Sequence, residues 1–309
     1  MSIKQIAKRH HFLTKAYVGL FSDTGKKDGR IYVSDITNGK KFPAIPDRVA
    51  FENGFNKICI EGVASDALEI ALSEFEGEAI NAIRRTISSG KFPEDNDYSL
   101  IINLLCFYAI RNPKLRENFN GSRSNVINMI AELVISKEEI FNHHLGQAIK
   151  NGYVTKEVSF LEMKKFIEEK EYKIEFPTHD NSRVEFSIYE SILNTLAERT
   201  WSLLIAPNNG PELICSDHPV TLTWKDGRNG PVGYGQHLTE VYFPLCPNMC
   251  FYGVYENFLK PVVELSPERV ARINGNVAFN AKRHIYSKLN KYIVWRDNKL
   301  IEVYCGESS

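Results

Sequence analysis

Long apolar runs are missing from this 309-residue sequence. No stretch of about 18 apolar residues occurs, so no membrane-spanning helix is expected. The N-terminus has no apolar signal core followed by a small-residue cleavage site, and the expected location is the cytoplasm. Net charge is also missing, since 38 Lys and Arg balance 38 Asp and Glu. The spaced signatures of well-known chemistries are absent as well. There is no H-E-x-x-H, G-x-S-x-G, Walker A loop, G-x-G-x-x-G or C-x2-C, which disfavours zinc-protease, serine-hydrolase, kinase and dinucleotide-binding readings. Cysteine is sparse at six residues. Only Cys246 and Cys250 lie close together, and one C-x3-C without a second pair is a weak metal signal. The others sit among apolar neighbours, as in Leu104-Leu105-Cys106, and read as reduced core thiols.

What is present is an ordinary globular composition, 43% hydrophobic and 25% charged. The balanced charge is unevenly spread. Residues 1–57 carry 11 Lys and Arg against 5 Asp and Glu, residues 58–200 carry 16 against 23, and the remainder 11 against 10. A basic front can lean on an acidic middle or face a polyanion, and the lack of any concentrated Lys/Arg block favours internal compensation.

Three textures follow one another. Phe12 to Phe21 is aromatic and β-branched, a Gly/Asp/Lys turn follows, and Arg30 to Asp35 alternates with period two, which predicts a hairpin. Pro43 and Pro46 exclude a central strand there. From about 63 to 200 the pattern is helical. Asp66 is placed to cap a helix with Ala67, Ile70, Ala71, Phe75, Ala79, Ile80 and Ile83 on one face, ended by Ser89-Gly90. Further helices are expected over Tyr98–Arg111, Ser124–Ile135, Ser136–Asn151, Ser159–Lys170 and Tyr189–Arg199, the last capped by Ser187. From 201 onward short β-prone runs return between Pro, Gly and Asn clusters. They are interrupted by one helix that Ser266 caps and Pro267 begins, running to about Ala281–His284. Asp297-Asn298 joins a final pair of strands. The fold class expected is α+β: one domain over 1–309, a mixed sheet built from N- and C-terminal segments, and a helical insertion or layer over 63–200.

Four places carry a resemblance. Lys8 to Val18, with His10-His11-Phe12-Leu13 at its centre, is similar to the opening "HHYVPxxYL" of the domain-of-unknown-function 4238 family, with Thr14 standing where that pattern has Pro. Arg111-Asn112-Pro113 resembles its "R-T-P". Trp201 to Ala206 followed by Leu213 to Pro219, with Ser216-Asp217-His218-Pro219, is similar to its "TSDNP" turn, and Phe243 to Pro247 comes after it. Asn274 to Ala281, then Arg283-His284-Ile285-Tyr286-Ser287, resembles its closing pattern. The family is mostly bacterial, and the resemblance implies no assigned activity.

The ionisable residues in these motifs are the candidates for chemistry. His10 and His11 are neighbours on an expected strand and point to opposite faces, so one at most faces a given pocket. A neutral imidazole can act as general base or metal ligand near pH 7, and it can equally bond a backbone carbonyl and lock a sheet corner. Asp217, before His218-Pro219, can hold a divalent cation or orient an imidazole, or it can simply bond backbone N–H groups in a turn. Arg111, Arg283 and His284 can clamp a phosphate, or tie helix to sheet. Glu76 is a further acid candidate. His143-His144 lie about 100° apart on a helix and cannot chelate one ion together.

Two readings of function follow. One is a phosphodiester hydrolase, a nuclease-like or antiphage effector acting on nucleic acid, with His10 or His11 as base, Asp217 as metal or imidazole holder, and Arg111, Arg283 and His284 on phosphate. The other is a non-catalytic recognition module whose acidic helical segment meets a partner protein. The first requires the front and back thirds to share a β-layer that brings the imidazoles to Asp217.

Overall fold

The computed structural model describes residues 9–57, 62, 64–154, 158–256, 260–296 and 298–305. Cys59, Lys8 and Asp297 lie outside the described residues. In chain order the elements are β1 (Arg9–His11), α1 (Lys15–Gly19), β2 (Ile31–Asp35), β3 (Lys41–Ala44), a 3-10 turn (Pro46–Arg48) and β4 (Phe51–Asn53). The helices α2 (Ala67–Ser89), α3 (Asp95–Ile110), α4 (Pro113–Val134), α5 (Glu138–Lys150), α6 (Phe160–Glu169) and α7 (Thr178–Ala197) come next. The chain ends with β5 (Thr200–Ile205), β6 (Cys215–Ser216), β7 (Thr221–Trp224), β8 (Thr239–Cys246), β9 (Met249–Val254), β10 (Val262–Glu264), α8 (Pro267–Asn280), β11 (His284–Ser287), β12 (Lys291–Arg296) and β13 (Lys299–Tyr304). The fold is α+β, with N- and C-terminal strands on either side of a helical middle. No helix among the described residues is long and apolar enough to cross a membrane.

Two compact units arise from this order, one formed by the chain up to Lys114 together with everything from Thr178, the other by Leu115–Pro177. In the larger unit the front and back of the chain meet in one sheet of order β3-β2-β11-β6, antiparallel at every step. Pro43 sits on its edge strand β3, where a missing N–H costs no ladder bond. The mixed sheet has order β10-β5-β9-β8-β7, with β10 parallel to β5 and the other pairs antiparallel. Every residue of β9 is buried, as expected when both faces of a sheet are covered. Phe251 faces the helical layer, stacked on Phe92 and Trp201. Cys250 and Tyr252, pointing the other way, join a core with Val270, Ile273 and Val277 of α8. Each such fully buried side chain contributes about 1.5–3 kcal/mol of burial free energy.

Asn274 ties α8 into this core. Its Oδ1 accepts from the Ile214 N–H at 3.0 Å, and its Nδ2 donates to the carbonyls of Glu212 and Ile293, both at 2.9 Å. In the smaller unit, Phe141 of α5 meets Phe160 of α6. Ser159 and Glu162 close a capping box at the start of α6. Val126, Met129, Ile130 and Leu133 lie on one exposed side of α4.

Of the hairpin expected from Phe12–Phe21 and Arg30–Asp35, the second strand forms as β2 but the first does not. Thr14 caps a short helix instead, its Oγ1 accepting from the Ala16 N–H, so that Tyr17 and Val18 reach the core. The apolar residues there serve burial on a helix, which outweighs their β propensity. α4 and α7 begin well before the expected starts, α4 at Pro113, whose fixed φ suits a first helical position. Ser187 is therefore inside α7, bonding the Val184 carbonyl rather than capping. Ile70 was expected on the buried face of α2 but is exposed; the buried stretch begins near Ala79. α8 stops at Asn280, because Asp217 captures the next amides and turns residues 284–287 into β11.

Candidate functional site

The imidazole pair sits on β1, which pairs with β4 and is not part of the sheet that unites the front and back of the chain. Alternation along the strand separates the two rings. His10 is 1% exposed, and its Nδ1 accepts from the Asn56 N–H at 2.8 Å, which leaves the ring proton of the neutral form on Nε2. The Asn56 side chain continues the network, donating to the Glu69 carboxylate and accepting from the Arg111 guanidinium. Arg111, also 1% exposed, donates from Nε to Glu185 Oε2 at 3.2 Å and lies over the rings of Phe55 and Phe107. A buried cation thus has a buried carboxylate, an amide and two ring faces around it, the kind of satisfaction a charge needs inside a protein.

Glu76 faces the same network from α2. Burial pushes its carboxyl up to about 8, against the attraction of Arg111 and with the Glu69 charge adding to the rise. His11 is half-buried, edge-on to Phe51, and its Nδ1 is a buried atom with no hydrogen-bond partner among the described residues. Burial lowers its pKa, with Asp47 opposing and Lys15 assisting. The ring is neutral at pH 7.

Asp217 follows β6 and is 3% exposed. Its Oδ1 accepts from the Lys282 N–H at 2.8 Å, and its Oδ2 accepts from Arg283 at 2.7 Å and His284 at 2.9 Å. Burial raises its pKa while these three amides pull it down. The carboxylate therefore fastens the chain between the end of α8 and the start of β11. The Arg283 side chain turns to Asp35, Nε to Oδ2 at 2.9 Å, and His284 Nε2 lies 3.5 Å from the same oxygen. Burial works against the charge on Asp35, but the Thr37 hydroxyl, Arg283 and the Thr37 amide together hold its carboxyl well below the usual range. Burial and then Arg283 lower the His284 pKa. His218 is pushed down to about 4 by burial and by Lys114, whose Nζ donates to the Asn280 carbonyl at 2.8 Å.

Asp217, Arg283 and His284 thus gather at the α8–β11 joint with Asp35, while His10 and Arg111 belong to a separate network and His11 to neither. Asp217 makes no hydrogen bond or ion pair with either imidazole among the described residues. No group of three or more His, Cys, Asp or Glu among them is placed to hold a metal ion. A family model described as "Protein of unknown function (DUF4238)" matches residues 9–291. The chain belongs to that family. No curated protein and no solved structure matches it.

Clefts indent the larger unit of this DUF4238 protein, and two of them bear on function. One, of about 990 Å3, is bordered by Lys26, Lys27, Arg84 and Lys288. The other, of about 680 Å3, lies between β7, α8 and β12. None of the six candidate residues lines either cleft. The polar residues that reading the sequence missed are Asp35, Asn56 and Glu185. Asp35 carried a signal, since Asp35-Ile36-Thr37-Asn38-Gly39 is a side-chain-to-backbone turn pattern, and the Thr37 N–H does bond Asp35 Oδ1. Asn56 and Glu185 carried none.

Proposed function

We propose that this protein is a non-catalytic recognition protein, in which the polar residues that match the family pattern are joints of the fold. The observation that carries this reading is the occupancy of Asp217, whose two oxygens take three main-chain N–H groups. A carboxylate so engaged has little capacity left for a metal ion or an imidazole. The burial of His10 and Arg111 within their own network supports the same reading. The five cysteines among the described residues are buried and free, which supports a cytoplasmic setting for this reading.

The phosphodiester-hydrolase reading retains one support. His11 is half-buried, burial lowers its pKa, and its Nδ1 has no hydrogen-bond partner among the described residues, which suits a general base. Incubating the purified protein with labelled single- and double-stranded DNA and RNA, with and without Mg2+ or Mn2+, separates the two readings. Intact strands are expected throughout. Cleavage that His11→Ala abolishes would replace recognition with hydrolysis.

A further inference from the structure

The cleft between β7, α8 and β12 combines rings with cations in a way that no joint of the fold requires. Trp224 and Trp295, two of the three tryptophans in the chain, line it from two strands. The Arg272 guanidinium lies 4.5 Å over the Trp295 ring, and that of Arg228 lies 4.7 Å over Trp224. Along α8, Arg269, Arg272, Asn276 and Phe279 follow one another at helical spacing on the side that borders the cleft. The core contacts of this helix come from other residues, Val270, Ile273 and Val277. Phe279 is 91% exposed, an aromatic ring standing in water beside arginines. Gly275 also lines the cleft, where an added Cβ would sit 3.4 Å from the Trp295 carbonyl oxygen. Trp224 Nε1 is a buried donor with no hydrogen-bond partner among the described residues. The one carboxylate in the lining, Glu240, accepts from the Tyr252 hydroxyl at 3.0 Å.

We infer that this cleft binds a single strand of nucleic acid, with bases against its aromatic rings and phosphates along Arg269 and Arg272. An arginine stacked on a ring keeps its N–H edge free for a phosphate and holds the guanidinium in place before the ligand arrives. Aromatic rings accept any base, because every base has a π-face, so little sequence preference is expected. A duplex hides those faces and fits less well. Arg269 and Arg272 stand one turn apart, which provides for more than one phosphate, while Arg228, held by the Asp226 carboxylate, braces the Trp224 ring. The inference rests on the recognition reading, and it adds the ligand and the place.

The test uses the whole chain, fluorescein-labelled oligo-dT and oligo-U of about twelve nucleotides, and anisotropy titrations in EDTA. Affinity should fall steeply between about 50 and 200 mM salt. Arg272→Glu and Phe279→Ala, both changes at exposed positions, should each weaken binding about tenfold. Lys27→Glu, at the rim of the other cleft, should change it less than about twofold. Unlabelled duplex, mononucleotide and inorganic polyphosphate should compete poorly. Four results would overturn the inference: no binding, an equal loss with Lys27→Glu, no effect of Phe279→Ala, or mononucleotide or polyphosphate competing as well as the strand. Repeating the titration with Mg2+ and running the strand on a denaturing gel keeps the two proposals apart. A cut strand whose binding still depends on Phe279 contradicts recognition without catalysis and leaves the cleft assignment standing, whereas an intact strand that does not bind contradicts only the cleft.

Discussion

Burial decides the behaviour of Glu76. Its carboxyl is raised to about 8 in the folded protein, while an unfolded Glu titrates near 4.3. Between those values the folded state holds a proton that the unfolded state has released, so this residue makes stability fall as pH rises across that window. Glu76→Gln removes the dependence. In thermal melts the variant should unfold at higher temperature than the parent at about pH 8.5, and the gap should close toward about pH 5. Asp35 has the opposite sign: its depressed carboxyl contributes stability above the unfolded value, near 3.9, and loses it as pH falls. The same scale explains what the sequence concealed about the candidates. Arg111 and His10 were visible as residue types, but Asn56 lies 46 residues from His10 and Glu185 lies 74 from Arg111. Nothing local announces partners at such separations.

At the scale of elements, long helices were legible because apolar residues recur with helical period, as in α2, or persist on all sides of a buried helix, as in α3. The shortest strands were less so: β10 is three residues long, too short for alternation to register. β11 is set by a partner strand and by Asp217 rather than by its own four residues. α1 shows the converse, a β-prone stretch bent into a helix by the Thr14 cap. The β5–β9 pair adds a packing constraint. Trp201 stands opposite Gly253, and a Cβ at Gly253 would lie 2.7 Å from the indole. That ring cannot easily retreat, being stacked on Phe251 and donating from Nε1 to the Leu196 carbonyl at 2.9 Å. Gly253→Ala should cost about 1–3 kcal/mol, read by chemical denaturation as a lower midpoint with an unchanged slope.

On the scale of the whole molecule, the sharing of one sheet by the chain's two ends followed from the strand, helix, strand order of the sequence. The gathering of its polar motifs did not follow, because β1 pairs with β4 outside that sheet. The tryptophan cleft was equally hidden, since its walls come from four separate stretches of the last segment. Asp217 is where the larger unit closes. It bonds the amides that lead into β11, and β11 is the strand that joins β2 to β6. Thermal unfolding of Asp217→Ala, followed by circular dichroism beside the parent protein, tests this role most directly. Three part-buried N–H groups left without their acceptor predict a loss of about 3 kcal/mol, and a midpoint lower by roughly 6–12 °C for a unit of this size. An unchanged melting curve would contradict the structural role of Asp217 and return its carboxylate to the list of groups available for chemistry.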